Sequence, residues 1–366
     1  MFNLNNVPNH LIQMDKISVC IVSQSEKGAN SELLRLQLPK KLALPPEEEG
    51  RSKDNDFKVL SGVYTENLVH RIDGLSNDEK VIVSEKNMAG LKIYNLNNNE
   101  SGKPQPESIS SVPWMSSEFY IINKTNNVVC CKTNHDPIVL IDLQVNKKIQ
   151  QVDYPMKCKQ HNLASLQNYE NSKINCHNNC DIKCLPLNEN TISILNSKTG
   201  DLSIYDFRSE KCFVNINNET KEANIVENWT MSKSDDKNSF PNHFGILSNT
   251  ESFSIFDKRR NSSMFQNRGE LHKPKKSIDN LKLKFCEKED KFSISGLNAF
   301  VKVFKMANNN NYKHVFTHNG HSPGDEFLPT VTDHIWLNTG HQELIISICD
   351  NKTLNCWNHN EKLEII

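Results

Sequence analysis

The sequence predicts an all-β fold, a single β-propeller of seven four-stranded blades closed by a strand from the N-terminus. Three observations predict it. First, a short apolar phrase ending in an aromatic and a polar residue recurs: LKIYN at 91–95, LSIYD at 202–206, FSIFD at 253–257, VKVFK at 301–305 and LNCWN at 354–358, with weaker copies LLRLQ at 33–37 and IVLID at 138–142. Second, the fourth positions of these copies, Leu36, Tyr94, Ile141, Tyr205, Phe256, Phe304 and Trp357, are spaced by 58, 47, 64, 51, 48 and 53 residues. A period near ~40–50 residues with strand-like phrases marks a propeller of WD-type repeats. Third, a β-branched run and a tight turn precede several copies, as a hairpin requires.

Each phrase reads as the third strand of a blade, its apolar positions packed between neighbouring blades and its aromatic or aliphatic fourth residue filling the wedge. The first blade takes Leu11–Met14, Val19–Val22 and Leu33–Leu38. Second strands lie just upstream of the phrase in later blades: NTISILN at 190–196, HFGILS at 243–248 and ELIISICD at 343–350. Gly200 and Asn351 form the turns, and the Asp350 carboxylate is expected to accept from the turn backbone. After Asn358 little chain remains for an outer strand, so Phe2-Asn3-Leu4 is expected to supply it and leave the ring without a free edge. The domain is taken as residues 1–366, with loops at 45–56, 97–106, 153–184 and 259–280 as insertions on the ring.

Bulk properties narrow the function classes. A net charge of −1 gives no global field for nucleic acid or membrane. No run reaches the ~18 apolar residues of a spanning helix, and the start MFNLNNVPNHLIQMD lacks a basic n-region and long apolar core, so neither membrane nor secretion is expected. The 11 cysteines are an odd count scattered through predicted strands, as expected of reduced thiols in cytosol or nucleus. There is no GxSxG elbow, P-loop, HExxH or Gly-rich dinucleotide fingerprint, so no catalytic residue and no cofactor is assigned.

Two blocks carry a more specific likeness. SELLRLQLPKKLALPPEEEGRSKDNDFKV at 31–59 pairs an L-x-L-P strand with a polar loop and D-F-K-V. Later come ISGLNAFVKVFK at 294–305, FTHNGH at 316–321, VTDHIW at 331–336 and the final Trp-containing repeat, in that order. On these residues the chain resembles the WD repeat-containing protein 73 family. Here the terminal Trp-Asp is Trp357-Asn358, and 155–184 has no counterpart in the family. The resemblance implies a non-enzymatic scaffold, cytoplasmic with spindle-pole association in mitosis and some nuclear presence. It also implies partners among the Integrator RNA-cleavage subunits 9 and 11 or spindle and microtubule components. Phe316, His318, Gly320, His321, His334, Trp336 and Trp357 are then signature residues of structural role. The histidines are expected to hydrogen-bond between strands, with Thr332 and Asp333 as partners.

Two further clusters compete for function. Cys158, His161, Cys176, His177, Cys180 and Cys184 have the soft ligands of a zinc site, but C-x₃-C-x₃-C is not a zinc-motif spacing, and unliganded thiols are the preferred reading. Lys258, Arg260, Arg268, Lys273, Lys275 and Lys276 form a basic stretch interrupted chiefly by Glu270 and held extended by Pro274, suited to an acidic protein partner. Within it Arg259, like Arg208, also fits the x-D-x-R tail of WD strands. Only Phe265 is near for base stacking, which argues against nucleic acid. Two classes stay open: a protein-interaction scaffold, and an RNA-binding accessory of RNA processing or modification.

Overall fold

Alternating apolar and polar residues separated by tight turns fold this chain into short antiparallel strands. The computed structural model describes residues 2–25, 28–39, 42, 56–75, 80–86, 88, 91–96, 106–108, 118–121, 127–131, 138–142, 147–152, 182–188, 190–206, 208, 211–216, 228–234, 243–257, 263–267, 280–307, 311–321, 329–339 and 342–358. After β1 (Phe2–Asn3), the first sheet comprises β2 (Val7–Gln13), β3 (Ser18–Gln24), β4 (Ser31–Gln37) and β5 (Lys58–Tyr64). The second holds β6 (Val69–Gly74), β7 (Lys80–Glu85), β8 (Leu91–Asn95) and β9 (Pro106–Ser108). The third holds β10 (Glu118–Ile121), β11 (Asn127–Cys131), β12 (Ile138–Asp142) and β13 (Lys147–Val152). The fourth holds β14 (Ile182–Pro186), β15 (Thr191–Asn196), β16 (Leu202–Asp206) and β17 (Lys211–Ile216). The fifth holds β18 (Trp229–Lys233), β19 (His243–Ser248), β20 (Phe253–Asp257) and β21 (Ser263–Asn267). The sixth holds β22 (Lys282–Phe285), β23 (Lys291–Ser295), β24 (Val301–Ala307) and β25 (Asn311–His318). The seventh holds β26 (Val331–Asn338), β27 (Glu343–Cys349) and β28 (Thr353–Asn358), with β1 as its fourth member.

The recurring phrases all fall on third strands: β4, β8, β12, β16, β20, β24 and β28. Their fourth positions are buried in six copies, from Leu36 and Ile141 at 0% exposure to Tyr205 at 8%. The seventh departs from expectation: Trp357 is only half-buried, because the outer strand beside it is the two-residue β1 and the indole is left at the rim. A second regularity was not anticipated. The outer strand inserts one extra residue just after the one that pairs with the fourth position, at Leu60, Ile149, Phe213, Met264 and Val315. Such bulges raise local twist and bend the outer strand.

Both faces of the first sheet are covered. Leu11, Val19, Ile21 and Leu36 of the first sheet pack with Ile335, Leu337, Leu344 and Ile346 of the seventh, while Cys20, Val22 and Leu33 pack on the second through Val81, Val83 and Tyr94. Each fully buried Leu or Ile contributes about 1.5–3 kcal/mol. Between the fifth and sixth sheets the filling is aromatic: Phe253 meets Phe292 edge-on at 5.2 Å, and Phe292 stacks on Phe304 at 5.2 Å. First strands of successive sheets touch in the order β2, β6, β10, β14, β18, β22, β26, and β26 touches β2 again.

The two ends of the chain meet in the seventh sheet. Phe2 pairs with Leu354 and Asn3 with Thr353, and Leu4 N–H continues the ladder to Lys352 O at 2.8 Å. Alongside, Thr332 Oγ1 donates to Pro8 O at 2.8 Å and Leu11 N–H donates to Asp333 Oδ2 at 3.0 Å.

Several local expectations change. Segments expected as loops contain strand: Ser263–Asn267 inside 259–280 is β21, and β9 and β14 begin at Pro106 and Ile182, within 97–106 and 153–184. The reason is that a four-stranded sheet needs each of these edges. Among the rest of the four loops only Asp56 and Asn280 are described. Gly200 takes the left-handed conformation the 196–201 turn requires, at φ 72°, whereas in the 350–353 turn that residue is Lys352, at φ 64°, and not Asn351. Asp350 does not cap its own turn; its carboxylate accepts from Thr330 N–H at 2.8 Å, tying the turn to the entry of β26.

Candidate functional site

The signature residues gather along the seam between the sixth and seventh sheets. His334, on β26, is buried between two hydroxyls of β23: Ser293 Oγ lies 2.7 Å from Nε2 and Ser295 Oγ 2.7 Å from Nδ1. Trp336, two residues on and hence on the same face, donates its indole N–H to Ser293 Oγ at 2.8 Å. Ser293 Oγ also lies 3.5 Å from Lys284 O, so this one hydroxyl meets an indole, an imidazole and a backbone carbonyl. The expected partners were Thr332 and Asp333; Asp333 is adjacent and faces the other side, and Thr332 sits at a bulge in β26 and donates to Pro8 O instead.

A reciprocal arrangement crosses the seam the other way. His321, just after β25, is buried between Thr353 Oγ1, 2.6 Å from Nδ1, and Ser347 Oγ, 2.8 Å from Nε2. Thr353 passes its own proton to Asn351 Oδ1 at 2.5 Å, so this imidazole donates from Nδ1. Burial lowers the His334 pKa to about 3 and the His321 pKa to about 4, keeping both rings neutral.

Outside this pair, His318 stacks on Trp357, with Phe316 against the indole and 37% exposed. Gly320 is required by close approach: a Cβ there would lie 2.5 Å from the His318 ring. His318 Nε2, Asn355 Nδ2 and Trp357 Nε1 are buried without a hydrogen-bond partner.

The His321 and His334 imidazoles are neutral and held between hydroxyls. Among the described residues, no three His, Cys, Asp or Glu side chains gather to hold a metal. Burial pushes the Cys20, Cys349 and Cys356 thiols up to about 12, and burial with the Glu343 carboxylate at 2.9 Å pushes Cys286 higher, so these thiols are not nucleophiles at neutral pH.

Of the Cys/His cluster, Cys184 is fully buried on β14 as a free thiol; Cys158, His161, Cys176, His177 and Cys180 lie outside the described residues. So do Lys258, Arg259, Arg260, Arg268, Lys273, Lys275 and Lys276. Arg208, in its x-D-x-R position, holds Asp206 in a two-pronged pair, Nη2 to Oδ2 at 2.7 Å and Nε to Oδ1 at 3.1 Å.

Sequence reasoning did not find the space between the inner strands. They line a cavity of about 470 Å³ that carries Arg71, Lys183, Lys282 and Lys284. The available signal was the alternation in β22, where Lys282 and Lys284 share one face and Leu283 and Phe285 the other.

Compared with protein-family models and with curated proteins, the sequence matches none.

Proposed function

We propose that the protein is a non-enzymatic scaffold, a seven-bladed WD-repeat β-propeller that presents a rigid face and variable loops to a protein complex. The observation that carries this reading is the cycle of contacts among the seven first strands, with β1 completing the seventh sheet beside β28. Two histidines anchored between hydroxyls across one seam support it, because they stiffen a framework and perform no chemistry. Partner identity rests on the resemblance to the WD repeat-containing protein 73 family: the Integrator RNA-cleavage subunits 9 and 11 first, spindle-pole and microtubule components second. The same resemblance supports a cytoplasmic location, spindle-pole association in mitosis and some nuclear presence.

The test is affinity purification from cells with mass spectrometry, repeated at low and moderate salt. An apolar face-to-face interface keeps its partner across that range, whereas phosphate-driven binding collapses. Reversing charge at Lys273, Lys275 and Lys276 is expected to weaken an acidic partner with the fold intact; unchanged recovery retires the basic stretch as a docking site. Salt-sensitive recovery of RNA with no protein partner overturns the scaffold in favour of an RNA-binding accessory.

A further inference from the structure

We propose that the cavity enclosed by the first strands is a binding site for a small polyanion carrying several phosphate groups. The lining is strongly biased in charge. Among the described residues it presents Arg71, Lys86, Lys183, Lys233, Lys282 and Lys284 against Asp73 and Asp333. In a chain of net charge −1, that concentration is not a consequence of overall composition.

Both carboxylates are already committed. Asp333 accepts from Leu11 N–H at 3.0 Å and His334 N–H at 2.8 Å, with Lys284 Nζ 4.0 Å away. Asp73 Oδ1 accepts from Gly74 N–H at 2.9 Å. Among the described residues, neither Lys183 nor Lys233 has a carboxylate within ion-pair distance.

The strand geometry builds this lining on purpose-fitted positions. Pleating puts Lys282 and Lys284 on one face of β22 and Leu283 and Phe285 on the other, in the core with Leu281 and Phe292. Bulges at Asn9 in β2 and His70 in β6 interrupt strict alternation there, and Asn9, His10, His70 and Arg71 are among the lining residues. The crowding has an electrostatic signature. Burial and the charges of Lys282 and Arg71 lower the His10 pKa to about 3; burial, Lys284, Arg71 and Lys183 lower that of Lys282. Repelling cations gathered in one cavity focus positive potential, which a multivalent anion relieves. Compact ammonium groups arriving from separate strands suit phosphate, whose oxygens accept from many directions; a flat carboxylate is better matched to paired Arg forks. The volume falls in the range of small-molecule sites, ~300–1,000 Å³.

Isothermal titration calorimetry with inorganic tripolyphosphate, ATP and citrate tests this on the full chain. Tripolyphosphate or ATP is expected to bind at one per chain, raise the melting temperature, and weaken with added salt. Citrate is expected to bind at least tenfold more weakly. Lys282→Gln with Lys284→Gln should lower phosphate affinity at least tenfold, and Lys183→Gln alone, at a partly exposed position, should lower it several-fold if the double variant does not fold. Charge reversal at Lys273, Lys275 and Lys276 should leave it unchanged. Comparing tripolyphosphate with ATP shows whether a nucleoside adds to the phosphate chain. No saturable binding of either phosphate probe, equal binding of citrate, or undiminished affinity in the cavity variants overturns the proposal.

Discussion

The imidazole of His318 lies flat on the indole of Trp357, ring centroids 4.3 Å apart and planes inclined by 16°. This contact joins the outer strand of the sixth sheet to the third strand of the seventh, and it forms at the rim. Trp357→Ala should therefore cost about 2 kcal/mol, below the ~3–5 of a fully buried tryptophan. Urea unfolding measures it; a loss of the full buried value would show that the indole occupies a closed core wedge.

Ser293 serves two buried partners at once, the Trp336 indole and the His334 imidazole. Ser293→Ala leaves both without that bond and should cost about 2–4 kcal/mol. The coupling is checked in a Trp336→Phe background, where one orphan is already gone and the serine should matter by roughly 1 kcal/mol less. Strict additivity of the two substitutions would dismiss the shared hydroxyl.

Acid should unfold this protein earlier than its carboxylates alone require. His10 and His334 are held at about 3, and His318 and His321 at about 4, against an ordinary 6.5. Between those limits the unfolded chain binds more protons, so the stability these neutral rings contribute is present above pH 6.5 and lost as pH falls toward 3–4. Asp15 and Asp333, held below their ordinary 3.8, add their losses only lower down. The urea midpoint should drop measurably between pH 7 and pH 5; a flat midpoint over that interval contradicts the neutral-histidine assignment.

Deleting residues 1–5 removes the β1 ladder and Leu4, which is 7% exposed within the core shared by the first and seventh sheets. The expected cost is about 2–3 kcal/mol, with β28 left as an open edge. Differential scanning calorimetry decides: an unchanged melting temperature means that β1 contributes nothing to closure.

What the sequence made legible was the third strand, because a strand covered on both faces must be apolar at positions that repeat. Tyr94, Phe256 and Phe304 announce themselves this way. The outer-strand bulges at Leu60 and Val315 were not legible, since a bulge exists only relative to a partner's register. The hydroxyl partners of His334 were missed for a similar reason: Ser293 and Ser295 lie 41 and 39 residues away, whereas Thr332 and Asp333 are its neighbours in sequence but not on its face. Lys282 and Lys284 were overlooked because a lysine at every second position reads as a solvent-facing strand; only the surrounding strands turn that solvent into a shared enclosure.

The pairing of Phe2 with Leu354 carries a consequence for how the molecule is made. A ribosome adding ~5–20 residues per second needs roughly 20–70 s to travel from one to the other. Throughout that interval the first sheet has no seventh to lean on, and Leu11, Val19 and Leu36 present an uncovered apolar face. The nascent chain is thus a growing series of sheets with one sticky end, and the two-residue β1, made first, acts as a latch that engages only once β28 has emerged.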